Sequence, residues 1–269
     1  MSSTLTTRVI PPIRRPGTRA HRLLERNLMV YRRIWMIIVS GFFEPVFYLF
    51  SIGIGVGALV GEVQLADGRV ISYASFVAPG LLAASAMNGA VFESTMNVFF
   101  KLKWGKVYDA ILTTPMQPLD IALGETAFSL MRGGIYSVGF VIVMAAFGLV
   151  ESWWGLAAVP ACLLIGYAFA GVGLASTTFM KGWQDFDLVT LVVQPLFLFS
   201  GTFFPIDVYP PAFQLIARLS PLYHGAELIR AATLANFDWS VLGHAAFLLV
   251  MGTIGMAVAQ RRFHRLLLP

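Results

Sequence analysis

The sequence predicts an all-α membrane protein. It has six spanning helices, an N-terminal amphipathic helix on the membrane surface, and short re-entrant outer helices between spans 5 and 6. Three observations carry this reading. The chain is 57% hydrophobic, 12% charged and has a mean hydropathy of +0.74, whereas a soluble domain carries roughly 25% charge. That much apolar surface needs a bilayer as its solvent. The 269 residues hold about six spans with short loops at ~20 residues per span. Fifteen of the 19 Lys and Arg residues fall in four stretches that alternate with apolar runs. They are Met1 to Trp35, Lys101 to Pro118, Lys181 to Asp187 and Arg261 to Pro269. Lys and Arg gather on the cytoplasmic side of membrane proteins, so the pattern predicts both termini inside.

Residues 1–18 are polar and hold three Pro, and read as a disordered cytoplasmic tail. Over residues 19–35 the spacing becomes helical. Leu24, Leu28, Tyr31 and Trp35 share one face, with Arg22, Arg26 and Arg33 roughly opposite, the pattern of a helix lying in the inner interface. The main apolar region follows over 36–260, with spans at about 36–60, 73–100, 121–150, 155–180, 188–204 and 241–260. In span 1, Glu44-Pro45 predicts a kink. Gly53, Gly57 and Gly61 recur every fourth position, and are either a face for close helix approach or ordinary membrane-helix glycine. Gly61 to Ser72 reads as an outside loop, and Trp153 and Trp154 sit at interface depth. Span 5 is short and broken by Pro195. The semi-polar, Pro-rich segment 205–240 is too polar to cross and too apolar for a plain loop. It predicts one or two short helices dipping into the outer leaflet. Residues 261–269 read as a basic cytoplasmic tail.

Three ionisable residues lie well inside spans: Glu44, Glu93 and Arg132. A charge at the bilayer centre costs roughly 2.5–3.5 kcal/mol on insertion scales, so such groups face protein or water. Glu93 and Arg132 sit on antiparallel neighbours within reach of each other. They form either a structural ion pair or the polar lining of a path. Glu44 has no evident partner and is the third path candidate. Glu125 is close enough to the inner interface to be wet. His224 and Glu227, three apart, fit a shared helix face and a structural hydrogen bond.

Catalytic signatures are absent. Gly105-Lys106 is followed by Val107 and position 100 is Phe, so there is no phosphate-binding loop. No zinc-protease motif occurs, and Cys162 stands alone, which excludes an intrachain disulfide or a Cys-rich metal site. No metal or cofactor is therefore expected in this chain. The pI near 9.6 points to anionic headgroups, not to nucleic acid. A membrane-embedded transferase would need an acid–base or metal set, and a channel would need a ring of polar groups at one depth. The inner stretch from Phe100 to Pro115 is short, basic and aromatic. Trp104, Tyr108, Ile111 and Leu112 recur at helical spacing, and Pro115 ends it. Those features fit either a helix that docks a protein or one that caps spans 2 and 3.

Four strings bring a family into view. They are Phe76 to Met87, Leu102 to Leu112, Phe199-Ser-Gly-Thr-Phe-Phe-Pro205, and Ser220-Pro-Leu-Tyr-His-Gly-Ala-Glu-Leu-Ile-Arg230. From about residue 20 onward the chain resembles the membrane subunit of ABC-2 type exporters, and more narrowly the NodJ-type lipo-oligosaccharide permeases. The resemblance implies a six-helix permease half in a bacterial plasma (inner) membrane, paired with a second copy or a close homologue. Two ATP-binding subunits would dock from the cytoplasm and carry the ATP and Mg. Their contact would be the span 2–3 loop, with Lys101, Lys103, Trp104, Lys106, Tyr108, Asp109 and Leu112. The outer gate would comprise Phe203, Phe204, Pro205, Pro221, Tyr223, His224, Glu227 and Arg230. The family's cargoes are amphiphiles, either lipid-linked saccharides or hydrophobic drugs.

Overall fold

A computed structural model describes residues 17–33, 36, 43, 45–65 and 68–267. The tail at 1–16, the first part of span 1 and Glu44 lie outside the described residues. Helix α1 is Ala20–Arg33. Helix α2, Pro45–Val60, contains a π-helical segment, Leu49–Val56. Two strands follow, β1 (Glu62–Gln64) and β2 (Val70–Ser72). Among the described residues, four helices are long and apolar enough to cross a membrane: α3 (Tyr73–Trp104), α5 (Pro118–Ala146), α6 (Trp153–Thr177) and α10 (Ser240–Leu267). Between them lie α4 (Val107–Leu112), α7 (Asp185–Phe199), α8 (Pro211–Leu219) and α9 (Pro221–Thr233).

The expectation of an all-α chain needs one correction. The loop at Gly61 to Ser72 is a β-hairpin, pairing Glu62 with Ser72, Val63 with Ile71 and Gln64 with Val70. Gly61 at φ +74° ends α2 and starts the turn, a backbone conformation that costs glycine nothing. Ser72 then caps α3, its Oγ accepting from the Ser75 N–H at 3.1 Å, which satisfies one of the open donors of a helix start.

The other departures are at boundaries. Predicted span 3 ends early, because Gly148 at φ +68° turns the chain after Ala146. Predicted span 5 (188–204) is a helix only to Phe199; Gly201 at φ +70° breaks it, as glycine does just past a helix end. Residues 200–204 then fold back, and the Thr202 backbone sits so close to Gly80 that a Cβ there would stand 2.9 Å from the Thr202 carbonyl oxygen. The basic tail is not separate, since α10 continues through Arg261, Arg262 and Arg265 to Leu267.

The bundle is closest where glycines meet. A Cβ on Gly171 of α6 would stand 2.5 Å from the Gly252 carbonyl oxygen of α10, and one on Gly255 would stand 2.5 Å from the Gly171 carbonyl carbon. Small residues let membrane helices approach until backbones touch. Of the three glycines singled out in span 1, Gly53 and Gly57 do face α3, at Ala74 and Tyr73, whereas Gly61 faces open space.

The ends of the bundle are chemically distinct. The described parts of the four basic stretches meet at one end. There the Arg19 N–H donates to Asp120 at 2.9 Å, Tyr108 packs edge-on against Phe263, Trp104 meets Trp183, and Arg262 donates to the Thr178 carbonyl at 3.2 Å. At the far end the hairpin, the α5–α6 turn and α8–α9 gather. The Glu151 N–H donates to the Thr233 carbonyl at 3.0 Å, and Trp154 packs on Phe237. Helix α9 is wedged against α3 and α6; a Cβ on Gly225 would stand 2.8 Å from the Ile165 side chain.

Candidate functional site

The site at the basic end begins with an irregularity in α3. Glu93–Asn97 forms a π-helical turn, which leaves backbone carbonyls short of their helical partners. Ser94 Oγ donates to the Ala90 carbonyl at 2.7 Å and Thr95 Oγ1 to the Val91 carbonyl at 2.6 Å, repairing the loss. Glu93 starts this turn and is 2% exposed. Its Oε2 accepts from Arg132 Nη1 of α5 at 2.7 Å and from Asn97 Nδ2 at 2.8 Å. The predicted reach between Glu93 and Arg132 is therefore met. Two tyrosines frame the pair. Arg132 Nε donates to the Tyr136 hydroxyl at 3.0 Å, and the guanidinium carbon lies 5.4 Å from the centre of the Tyr31 ring of α1.

About two turns nearer the basic end on α5 is a second buried carboxylate, Glu125. Sequence position made it a wet residue; it is 2% exposed, because α1 and the α3–α5 connection cover it. Glu125 Oε1 accepts from the Tyr108 hydroxyl at 2.9 Å. Its Oε2 accepts from Lys101 Nζ at 2.7 Å and Asn27 Nδ2 at 3.0 Å. Glu125 thus joins α1, α3, α4 and α5 through one side chain. The α1 approach is close: a Cβ on Gly124 would stand 2.7 Å from the Leu23 Cβ. The face of α1 turned to the bundle is Leu23 and Asn27, with Tyr31 half-buried; Leu28 is exposed.

The connection is not the single helix that the spacing predicted. Phe100–Trp104 is a π-helical end to α3. Lys106 then adopts φ +44°, a left-handed conformation uncommon outside glycine, and the chain re-enters as α4. This reversal separates Trp104 from Tyr108. Trp104 is 67% exposed beside the exposed Lys103, Lys106 and Asp109, while Tyr108 is fully buried and Leu112 half-buried. The exposed face of the loop consequently consists of Lys103, Trp104, Lys106 and Asp109, while Tyr108 lies inside. Trp183 extends that face. It is half exposed and packs against Phe100, Trp104 and Phe186. Burial first and Glu93 second push the Tyr31 hydroxyl up to about 12. Burial, then Glu125, pushes Tyr108 well above its ordinary value. Both phenols, outside the long spans, stay protonated and keep donating at neutral pH.

At the far end, Arg230 is 7% exposed. It pairs with Glu227, donates to the Gly201 carbonyl at 3.0 Å, and lies 4.2 Å over the Phe76 ring. The expected His224–Glu227 contact is replaced. Glu227 takes Arg230, and His224 Nδ1 meets His244 Nδ1 of α10 at 2.7 Å. Burial, then His244, holds His224 below its ordinary value. Ser200 and Ser220 share a hydroxyl hydrogen bond beside Pro221. Phe203 is buried and Phe204 half exposed. Pro205, Tyr223, Glu227 and Arg230 line a chamber of about 260 Å³.

Between the ends, an apolar groove of about 650 Å³ runs from Lys181 and Asp185 to Pro221. Its walls are α6 (Phe169, Val172) and α7 (Leu188, Val192). Helix α7 has no buried residue, so it is the loosely held wall. Among the described residues, no group of three or more His, Cys, Asp or Glu is placed to hold a metal.

Long apolar helices, a basic end with an exposed aromatic loop and a lateral groove define the membrane subunit of a transporter. The chain belongs to the ABC-2 type transporter family, whose profile matches residues 19–234. It is 33% identical to Nodulation protein J of Rhizobium leguminosarum bv. viciae, over 90% of this chain and 93% of that protein. It is 33% identical to Nodulation protein J of Rhizobium meliloti (strain 1021), over 79% of this chain and 80% of that protein. Inner membrane transport permease YadH of Escherichia coli (strain K12) is 28% identical, over 72% of this chain and 74% of that protein. The chain is a permease of an ABC transporter, a membrane subunit and not an enzyme, and it works with an ATP-binding partner.

Proposed function

We propose that this permease exports an amphipathic, lipid-linked saccharide from the cytoplasm. Two ATP-binding subunits, holding ATP and Mg, dock at the basic end, which faces the cytoplasm together with both termini. A second permease half, identical or closely related, completes the transporter. Six spans fit this arrangement, with α2 and α7 as the shorter two and α8–α9 as the re-entrant outer gate.

The observation that carries the reading is the groove between α6 and α7. It is apolar, opens sideways, and runs from the basic-end loop to the far-end gate. An acyl chain fits it without burying polar groups. ATP-driven movement of the docking face would reach α1 and α5 through Tyr108 and Glu125, and α3 and α5 through Glu93 and Arg132, as a rigid-body shift of packed elements. A hydrophobic drug would suit the groove equally. The separate polar chamber at the same far end of the bundle favours a cargo with a polar head.

Transport from proteoliposomes containing the permease and its ATP-binding subunits tests this. Val192→Trp, which fills the groove from a lipid-facing wall, should abolish most glycolipid export while protein yield holds. Undiminished export in that variant would remove the groove from the path. Stimulation of ATPase activity by hydrophobic drugs but not glycolipids would shift the cargo class.

A further inference from the structure

The far-end chamber shares part of its lining with the proposed outer gate and also presents polar groups open to a ligand. At about 260 Å³ it lies just below the roughly 300–1,000 Å³ of small-molecule sites, so it takes one end of a ligand. Hairpin, α3, the segment after α7, α9 and the start of α10 all contribute walls. Its charges balance: Arg69, Arg218 and Arg230 stand against Asp207, Glu227 and Asp238. An anion site would carry an excess of cations, and a cation site an excess of carboxylates. This lining instead offers charged donors and charged acceptors in equal number, with the Tyr223 side chain among them.

Some of those groups are uncommitted. Among the described residues the Asp207 carboxylate and the Arg218 guanidinium hydrogen-bond to no protein group; only the Asp207 backbone carbonyl is engaged, by Gln214. Arg230 directs its Nη atoms to Glu227, Phe76 and Gly201, and its Nε is buried with no partner.

We infer that this chamber binds a sugar ring, an uncharged polyhydroxylated group, as the polar end of the exported amphiphile. A hydroxyl donates and accepts at once, so neighbouring hydroxyls satisfy a carboxylate and a guanidinium together. A phosphate satisfies only the arginines and is repelled by the three acids. Net neutrality therefore selects a neutral saccharide over an anionic headgroup. The inference rests on the export reading, because it assigns the chamber to cargo leaving the groove.

The test uses the full permease with its ATP-binding subunits in nanodiscs, read by saturation-transfer NMR and calorimetry. The probes are neutral trisaccharides of hexose or N-acetylhexosamine units, with inorganic phosphate as competitor. At least one trisaccharide should bind, phosphate should not displace it, and Asp207→Ala and Arg218→Ala should each weaken binding about tenfold or more. Both residues are exposed, so an unchanged unfolding temperature should accompany the loss. No trisaccharide bound by the wild type, displacement by phosphate, or wild-type affinity in both variants would each overturn the assignment. Glycolipid export by the same preparations separates the two readings: it persists if only the chamber assignment is wrong.

Discussion

Replacing Tyr108 by Phe removes one oxygen and keeps the ring. That oxygen donates to Glu125 Oε1 at 2.9 Å from a side chain that is fully buried. A hydrogen bond to a charged group contributes about 1.5–3 kcal/mol. Glu125 retains Lys101 and Asn27, and the Phe ring keeps its edge contact with Phe263, so no larger penalty is added. At 1.4 kcal/mol per factor of ten, α4 should open roughly ten- to a hundredfold more often. Tyr108→Ala is a poor substitute, because losing a buried aromatic ring costs about 3–5 kcal/mol and would disorder the loop. Hydrogen exchange at residues 107–112, with stimulation of the partner ATPase as a second readout, gives the measurement. A double-mutant cycle with Glu125→Gln should show about 0.5–3 kcal/mol of interaction energy. Strictly additive effects, or unchanged exchange at 107–112, would refute the claim that this hydrogen bond joins the loop to α5.

Three further outcomes follow from the packing and from titration. Gly171→Val drives its side chain into the Gly252 backbone, and overpacking of about 3 kcal/mol or more should remove monodisperse protein in size-exclusion chromatography. Gly89→Ala, where a Cβ meets nothing within 4 Å, should be neutral or stabilising by up to ~1 kcal/mol. His224 is held below its ordinary value by burial and His244, so the folded state binds fewer protons there than the unfolded chain. Stability should consequently fall as pH drops below about 6.5, and His224→Asn should flatten that part of the unfolding-temperature profile. Near His224 stand Tyr223 and Glu227 on α9 and His244 and Phe247 on α10.

Features governed by one-dimensional pattern were legible in the sequence. The basic stretches converge on one end because each flanks a long apolar run. Glu93 found Arg132 because antiparallel neighbours carried one buried charge each. What escaped depends on backbone events that leave little trace. Lys106 in a left-handed conformation turns Tyr108 inward, and nothing in Gly-Lys-Val announces it. Glu125 looked wet because its depth was measured along one helix, whereas α1 crosses over it at Gly124. His224 and His244 meet only because α9 doubles back on α10. The glycine contacts between backbones, at Gly171, Gly252 and Gly255, involve two helices and show no joint spacing. The regular glycines of α2, by contrast, advertised a looser one. Trp183 had a signal, an exposed aromatic in a basic-end loop, but it lay outside the string that drew attention.

The shortness of α7 has a consequence for the lipid around it. Its 15 residues rise about 22 Å at ~1.5 Å each, against a hydrocarbon core of about 30 Å. It is pinned at one end by Asp185, which accepts from the Lys181 N–H at 2.6 Å, and at the other by the Ser200–Ser220 pair. A bilayer meets such a deficit by thinning locally, at a fraction of a kcal/mol per Å. In the proposed six-span arrangement the membrane would be thinnest along the wall of the groove, where a polar headgroup would have the least hydrocarbon to cross.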